Sequence, residues 1–270
     1  MLRLLALDFD GVISDSAPEA FVVALRTWCE MRPGSRLGNR PELLGTAVAP
    51  SLERVTQDPL YAEFLAMMAL GNRAEDYAVE LDAIEAEASI PDQIAYDRYK
   101  HGVDAEWLRA FHKRFYRVRA ALFDADPECW HRLMACYPDV PGLLRRRAGE
   151  VVLAIATSKD RRSVARLLEA YGIGDLFPEG RVLDKEAGVS KRDHLVHLHR
   201  AHGAGYQEMA FVDDKVNHLD AVAPLGVRCA LAAWGYNGGR EAELARSHGH
   251  LVLGLDDVEE RLFGSPDAPG

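Results

Sequence analysis

From residue 151 to residue 262, short apolar runs alternate with amphipathic segments. No other feature of the chain restricts the fold as much. VVLAIA (151–156) reads as a buried strand, and 160–171 as a helix closed by Gly172. The alternation repeats with strands at 181–183, 209–212, 227–232 and 251–253. Helices are expected at 190–202, 216–225, 240–247 and 256–262, the first two stopped by Gly203 and Gly226. A short helix at 141–147 precedes the series. Alternation of this kind predicts a parallel sheet covered by helices on both faces. The run at 2–7 is nearly continuous in apolar residues and reads as one more fully buried strand.

Between these parts the texture differs. Ser16 is placed to cap a helix with Pro18 and Glu19 in its first turn, and apolar residues recur at Phe21, Leu25 and Trp28. Residues 31–50 carry Gly and Pro repeatedly and read as loop or broken helix. Apolar residues at i, i+3 and i+4 then mark helices at 63–70, 74–88 and 104–123. The organisation expected is an α/β core from 1–15 and 137–270, with 16–136 inserted as an all-helical block. The last residues, SPDAPG, read as a frayed tail.

The net charge of −10 disfavours non-specific binding to nucleic acid phosphates. No apolar stretch approaches the ~20 residues of a membrane helix. The first apolar run is short and cut by Asp8, so no signal peptide is expected and the cytoplasm is the default location. Cys29, Cys129, Cys136 and Cys229 form no CxxC pair and are expected as buried free thiols.

Three of the expected strands end in groups that can do chemistry. The first ends in Asp8 and Asp10, VVLAIA in Thr157 and Ser158, and AFV in Asp213 and Asp214. Ligands of an open parallel sheet bind beyond the carboxyl ends of its strands. Residues i and i+2 at a strand end point to the same side. Carboxylates held so close repel unless a cation lies between them or one keeps a proton. Oxygen-only ligands suit Mg²⁺, which usually completes its shell with water and a substrate phosphate. A hydroxyl from Thr157 or Ser158 and a lysine would hold the remaining phosphate oxygens. Taken singly, the acid pairs could be solvated strand ends or helix caps, and Thr157 or Ser158 could cap the next helix. Their shared placement at three strand ends argues for a site.

These residues resemble the haloacid dehalogenase superfamily of phosphohydrolases. The resemblance rests on DFDGV with Asp8 and Asp10, the strand-final threonine in LAIATSK, the lysine in GVSKRDHL and the acid pair in FVDD. YPDVPGLL and the AAWGY segment at Trp234 are similar to its phosphoglycolate-phosphatase-like branch. The likeness covers roughly 1–16 and 137–260, and leaves the helical block uncovered in detail. It implies a Rossmann-like core and a Mg²⁺-dependent phosphatase for a small phosphorylated metabolite. Asp8 would be the nucleophile forming an aspartyl-phosphate, Asp10 the general acid and base, and Thr157 a phosphate ligand. Asp213 and Asp214 would hold Mg²⁺ with Asp8 and the Asp10 main-chain carbonyl. Asp214 is the firmer ligand of the pair. Asp213 stands where the common fourth motif has glycine, and His218 where it has a later acid, with Asn217 beside it. Lys191 is favoured as the motif lysine over Lys185. Neither is followed by the usual proline.

The inserted block occupies the position of a helical cap, which in the family closes over the site and selects the substrate. It is longer than a four-helix minimum, leaving room for a larger pocket or a homodimer surface. Arg98, Lys100, His101, Arg109 and Lys113 are read as the wet faces of helices. His194 and His197, one helical turn apart, are read as partly exposed, and Arg145 to Arg147 as solvated charges near a helix C-terminus. Two other functions fit the core. A phosphomutase would keep Asp10 but return the phosphoryl group, and a non-catalytic protein would bind a metabolite or partner. A haloacid dehalogenase needs no acid at position 10.

Overall fold

The computed structural model describes residues 1–184, 186–188 and 190–264. Lys185 and the tail 265–270 lie outside the described residues. The chain divides into two compact units, Met1–Asp15 with Cys136–Gly270, and Ser16–Ala135.

The first unit is built on six strands: β1 (Leu4–Leu7), β2 (Val152–Ala156), β3 (Val182–Leu183), β4 (Met209–Asp213), β5 (Arg228–Ala232) and β6 (Leu251–Leu253). Their order across the sheet is β3-β2-β1-β4-β5-β6 and each neighbouring pair is parallel. This is a doubly wound α/β arrangement, in which the strand order reverses between β1 and β4. Leu7 is level with Ile155 on one side and Val212 on the other. Asp8, Thr157 and Asp213 therefore come to the same carboxyl edge.

Burial explains why these segments are strands. Leu4, Ala6, Ala154, Met209 and Phe211 share a core with Leu195, Leu198, Val216, Leu219 and Val222 from two helices. Residues of the opposite parity, including Leu5, Leu153, Ile155, Ala210 and Val212, are just as buried. A strand covered on both faces keeps its apolar run unbroken, the pattern visible in LLAL and VLAIA.

Helices flank the strands near the expected positions, with instructive departures. The helix expected over 216–225 is α-helical only over Val216–Val222 and tightens into a 3-10 turn over Ala223–Leu225. Pro224 cannot donate an intrahelical hydrogen bond, and Gly226 (φ +86°) takes the left-handed turn that ends the segment. Of the four unpaired thiols, Cys229 is buried, whereas Cys29, Cys129 and Cys136 are only half-buried, against expectation.

The second unit is helical. Ala17–Met31 packs against Ala105–Ala125 and Ala74–Glu85. Phe21, Tyr61, Phe64, Tyr77, Phe111 and Phe115 form a run of ring contacts at its core. Helices Leu52–Thr56, Gln93–Gly102 and Pro127–His131 lie outside the expected segments, and Pro41–Leu44 falls within the stretch read as loop or broken helix. Gln93–Gly102 buries only Tyr96, so it shows no apolar stripe. Polar anchors place it instead: Tyr96 donates to Asp76 (3.0 Å) and Tyr99 to Asp82 (2.8 Å). Lys100 pairs with the buried Asp76 and is more than a wet-face residue, whereas Arg98, His101, Arg109 and Lys113 are exposed. Among the described residues, no helix is long and apolar enough to cross a membrane.

Candidate active site

Asp8 directly follows β1, and its backbone N–H continues the ladder by donating to Val212 O at 2.9 Å. The chain then turns sharply. Gly11 holds φ +81°, and a Cβ there would stand 2.7 Å from Asp214 Cγ. Only glycine gives both that conformation and that approach.

Lys191 is the first residue of the helix Lys191–His202 and is buried. Its Nζ lies 2.7 Å from Asp8 Oδ1 and 3.2 Å from Asp213 Oδ2, and donates to Ala156 O at 2.7 Å. Three strands are thus tied to one ammonium. The Phe9 N–H also donates to Asp8 Oδ1, at 2.7 Å. Among the described residues none donates to the other oxygen, Oδ2.

Asp213 is fully enclosed and heavily paired. It accepts from Lys215 N–H (2.9 Å) and is met by His218 Nδ1 at 3.0 and 3.1 Å, besides Lys191. Asp214 lies against Gly11 and accepts from Tyr236 N–H at 3.0 Å, with Lys215 Nζ at 4.0 Å. Asp10 is turned onto Lys159, whose Nζ donates to Oδ1 at 2.9 Å and Oδ2 at 3.3 Å. Thr157 is buried and accepts from Lys159 N–H at 3.1 Å, whereas Ser158 is exposed.

Burial raises two of these acids. It pushes Asp8 up to about 7; Lys191 pulls the other way, while the Asp213 charge adds to the rise. Asp214 goes up to about 6, again chiefly by burial, with Lys215 opposing. Asp213 moves down to about 2, because Lys191 and His218 together outweigh its burial. His218 is raised: its bond to Asp213 outweighs desolvation, which would lower it.

Two of the buried acids are therefore short of positive charge, which suits a divalent cation. One ligand atom each from Asp8, Asp213 and His218 fall within 4.8 Å of one another. The carboxylates of Asp8 and Asp214, with main-chain oxygens of the turn, are donors of the type Mg²⁺ prefers. His218 offers nitrogen and already serves Asp213, so it is better suited to orient that acid than to bind Mg²⁺.

Of the residues singled out in the sequence, Asp8, Lys191 and Asp213 are in direct contact. Asp214 packs beside Gly11 in the turn after β1, and Lys159 links Thr157 to Asp10. Lys159 and His218 are the partners that sequence reasoning assigned no role. Lys159 stood within TSK, two positions after the strand-final threonine, and that spacing was the available signal. His194 is buried rather than partly exposed, its Nε2 3.0 Å from Asp184 O, while His197 is exposed. Arg145 pairs with Asp175, and Arg146 and Arg147 with Glu259, so these three are ion-paired rather than merely solvated.

A doubly wound sheet with convergent acids and a buried lysine at its switch point belongs to the class of α/β proteins that bind their ligand beyond the carboxyl ends of the strands. Residues 2–226 match the family model of the haloacid dehalogenase-like hydrolases, and the chain belongs to that family. A phosphoglycolate phosphatase of Pseudomonas putida is 31% identical over 153 residues, 55% of this chain and 53% of the relative. The chain thus spans about half the length of that relative. A phosphoglycolate phosphatase of Aliivibrio fischeri is 25% identical over 245 residues, 88% of this chain and 87% of the relative. Among solved structures, a predicted phosphoglycolate phosphatase from Haemophilus somnus shares the fold with a TM-score of 0.63 at 19% identity. The match covers 96% of this chain and 97% of that one.

Proposed function

We propose that the protein is a phosphatase that hydrolyses a small phosphomonoester with Mg²⁺, through an aspartyl-phosphate on Asp8. The observation that carries this reading is the state of the Asp8 carboxylate. Lys191 and the Phe9 N–H fix Oδ1, and no described residue donates to Oδ2. That leaves one oxygen oriented and available to attack.

In the proposed first step, Asp8 bonds to phosphorus as the bond to the leaving oxygen breaks, and Asp10 supplies the proton that oxygen needs. In the second, water attacks the same phosphorus while Asp10 takes its proton. Inorganic phosphate leaves and Asp8 is regenerated. Lys191 offsets the negative charge that gathers around Asp8. The Thr157 hydroxyl, and Ser158 beside it, bind phosphate oxygens. Mg²⁺, when bound, would offset the repulsion between Asp8 and the anionic substrate. Asp8, Asp214, Asp213 and the Asp10 main-chain carbonyl are the groups proposed to hold it. The helical unit Ser16–Ala135 is proposed as the substrate-selecting cap.

The relatives' names favour a phosphoglycolate-like substrate, and a sugar phosphate fits the same chemistry. The test is phosphate release from a panel holding both, with and without Mg²⁺, for wild type and Asp8→Asn. Mg²⁺-dependent release that Asp8→Asn abolishes is expected. Failure across the panel, or release by the variant within a fewfold of wild type, would overturn the reading. Isomerised sugar phosphate without phosphate release would mark a mutase instead.

A further inference from the structure

A second cluster lies at the other edge of the sheet. His250 immediately precedes β6, so it sits at the amino end of the strands, whereas Asp8 and Asp213 sit at their carboxyl ends. Its Nε2 is 2.8 Å from Asp220 Oδ1, and His248 Nδ1 is 2.9 Å from the same oxygen. The three ligand atoms all fall within 4.8 Å of one another.

The backbone fixes this arrangement before any ligand arrives. The helix Gly239–Ser247 ends with His248 as its cap and Gly249 at φ +82°. Gly249 N–H donates to Arg246 O at 3.0 Å and His250 N–H to Ala245 O at 2.9 Å. This pair of hydrogen bonds is the Schellman closure, which locks the turn. It aims both imidazoles at the second turn of Val216–Val222, where Asp220 lies. The His250 side chain is 4% exposed, and those of His248 and Asp220 are each 41% exposed, so one ligand is anchored in the fold and the other two open to solvent.

We propose that Asp220, His248 and His250 form a Zn²⁺ site, distinct from the candidate active site, with water in the fourth position. Two imidazoles and a carboxylate are a ligand set that suits zinc and leaves a coordination position open. Metal–ligand bonds of about 2.0–2.1 Å would require the donor atoms to part slightly from their present hydrogen-bonding distances. The exposed His248 and Asp220 side chains allow that movement. The ion would clamp the helix Val216–Val222 to the turn that opens β6.

Equilibrium uptake of Zn²⁺, and of Co²⁺ as its visible reporter, tests the site with excess Mg²⁺ present throughout. Wild type is expected to take up one equivalent beyond whatever His248→Ala takes up. It should also show the d–d absorption of a four-coordinate Co²⁺ that the variant lacks. Zn²⁺ should raise the melting temperature of wild type but not of His248→Ala, and phosphate release should be alike in both. Loss of a ligand should weaken Zn²⁺ binding beyond the roughly 100-fold seen when merely supporting partners are lost. Asp220→Asn, a near-isosteric change, serves as the second variant and should behave the same way. Absence of uptake by wild type, or equal uptake by wild type and both variants, overturns the site.

Discussion

Lys159 holds Asp10 by both carboxylate oxygens, at 2.9 and 3.3 Å, while its own N–H reaches Thr157 Oγ1. One residue thereby links the proposed acid–base group to the proposed phosphate ligand. Lys159→Met should lower kcat about 10- to 100-fold, a fraction of what a positioned acid–base group typically contributes. The loss should be large for alkyl phosphates, whose leaving oxygen needs a proton. It should be small for p-nitrophenyl phosphate, whose phenolate departs unaided. Steady-state kinetics with both substrates decide the matter. An equal loss on both would make Lys159 a phosphate-binding residue rather than one that positions Asp10.

Asp8→Asn should abolish turnover and, in metal-free protein, stabilise the fold above pH 7. An acid whose folded pKa is raised binds a proton that the unfolded chain has already released. Its contribution to stability therefore falls as pH rises between the two values. For Asp8 that window runs from the ordinary 3.8 to about 7. Asparagine carries no such charge. The variant's advantage should be absent near pH 4, grow through the window and level off above pH 7. A shift of one pKa unit corresponds to about 1.4 kcal/mol, so the gain should reach a few kcal/mol at most. Melting curves without metal across pH 4–9 measure it. A lower melting temperature for Asp8→Asn at pH 8 would contradict the assignment.

Chelation of divalent cations should stop turnover, and Mg²⁺ should restore it. If Mg²⁺ binds Asp8 as proposed, it competes with the proton on a carboxyl that burial raises to about 7, so its affinity should fall by up to tenfold per pH unit below that point. Calorimetric titration at pH 6, 7 and 8 reads this directly. Turnover that persists in chelator would remove the metal from the mechanism.

Gly11→Ala should destabilise the protein by about 1–3 kcal/mol and depress activity more than stability accounts for. The new Cβ would strain a φ of +81° and push against Asp214 Cγ at 2.7 Å. Urea unfolding gives the first quantity and kcat the second. A variant with wild-type activity would show that Asp214 can shift without consequence.

The sheet was legible because a strand buried on both faces leaves an unbroken apolar run, as LLAL and VLAIA do. The acids were legible because they end those runs. The side chains that neutralise them were harder to read. Lys191 and Lys185 lie six positions apart in the sequence, and the fold is what buries Lys191 against Asp8 and Asp213. His218 stands at a motif position where the family has an acid, and its partner is evident only once Asp213 is placed beside it. His194 reads as partly exposed because neighbouring histidines make its segment look polar, yet its ring is buried against Asp184 O. Gln93–Gly102 lies within the block expected to be all-helical, but its own bounds are not marked in the sequence, because tyrosine hydroxyls bonded to Asp76 and Asp82 hold it and such anchors leave no periodic stripe.

Glu19 shows the same effect inside the helical unit. Its place in the first turn of Ala17–Met31 suggests a charge set against the helix dipole. The structure buries it completely instead. Arg119 Nε donates to Glu19 Oε1 at 2.8 Å, and Trp130 Nε1 to the same oxygen at 3.1 Å. Burial would lower the Arg119 pKa, but the Glu19 carboxylate more than offsets that and raises it. Glu19→Gln keeps the shape and the Trp130 bond but leaves the guanidinium without its counter-charge. Breaking a buried pair from one side typically costs about 3–5 kcal/mol. Arg119 retains some exposure, so the expected loss lies at the low end of that range. Glu19→Gln combined with Arg119→Met removes both charges and should recover much of the loss. Urea unfolding of the single and double variants measures the coupling. A single variant as stable as wild type would show that Arg119 is adequately solvated without Glu19.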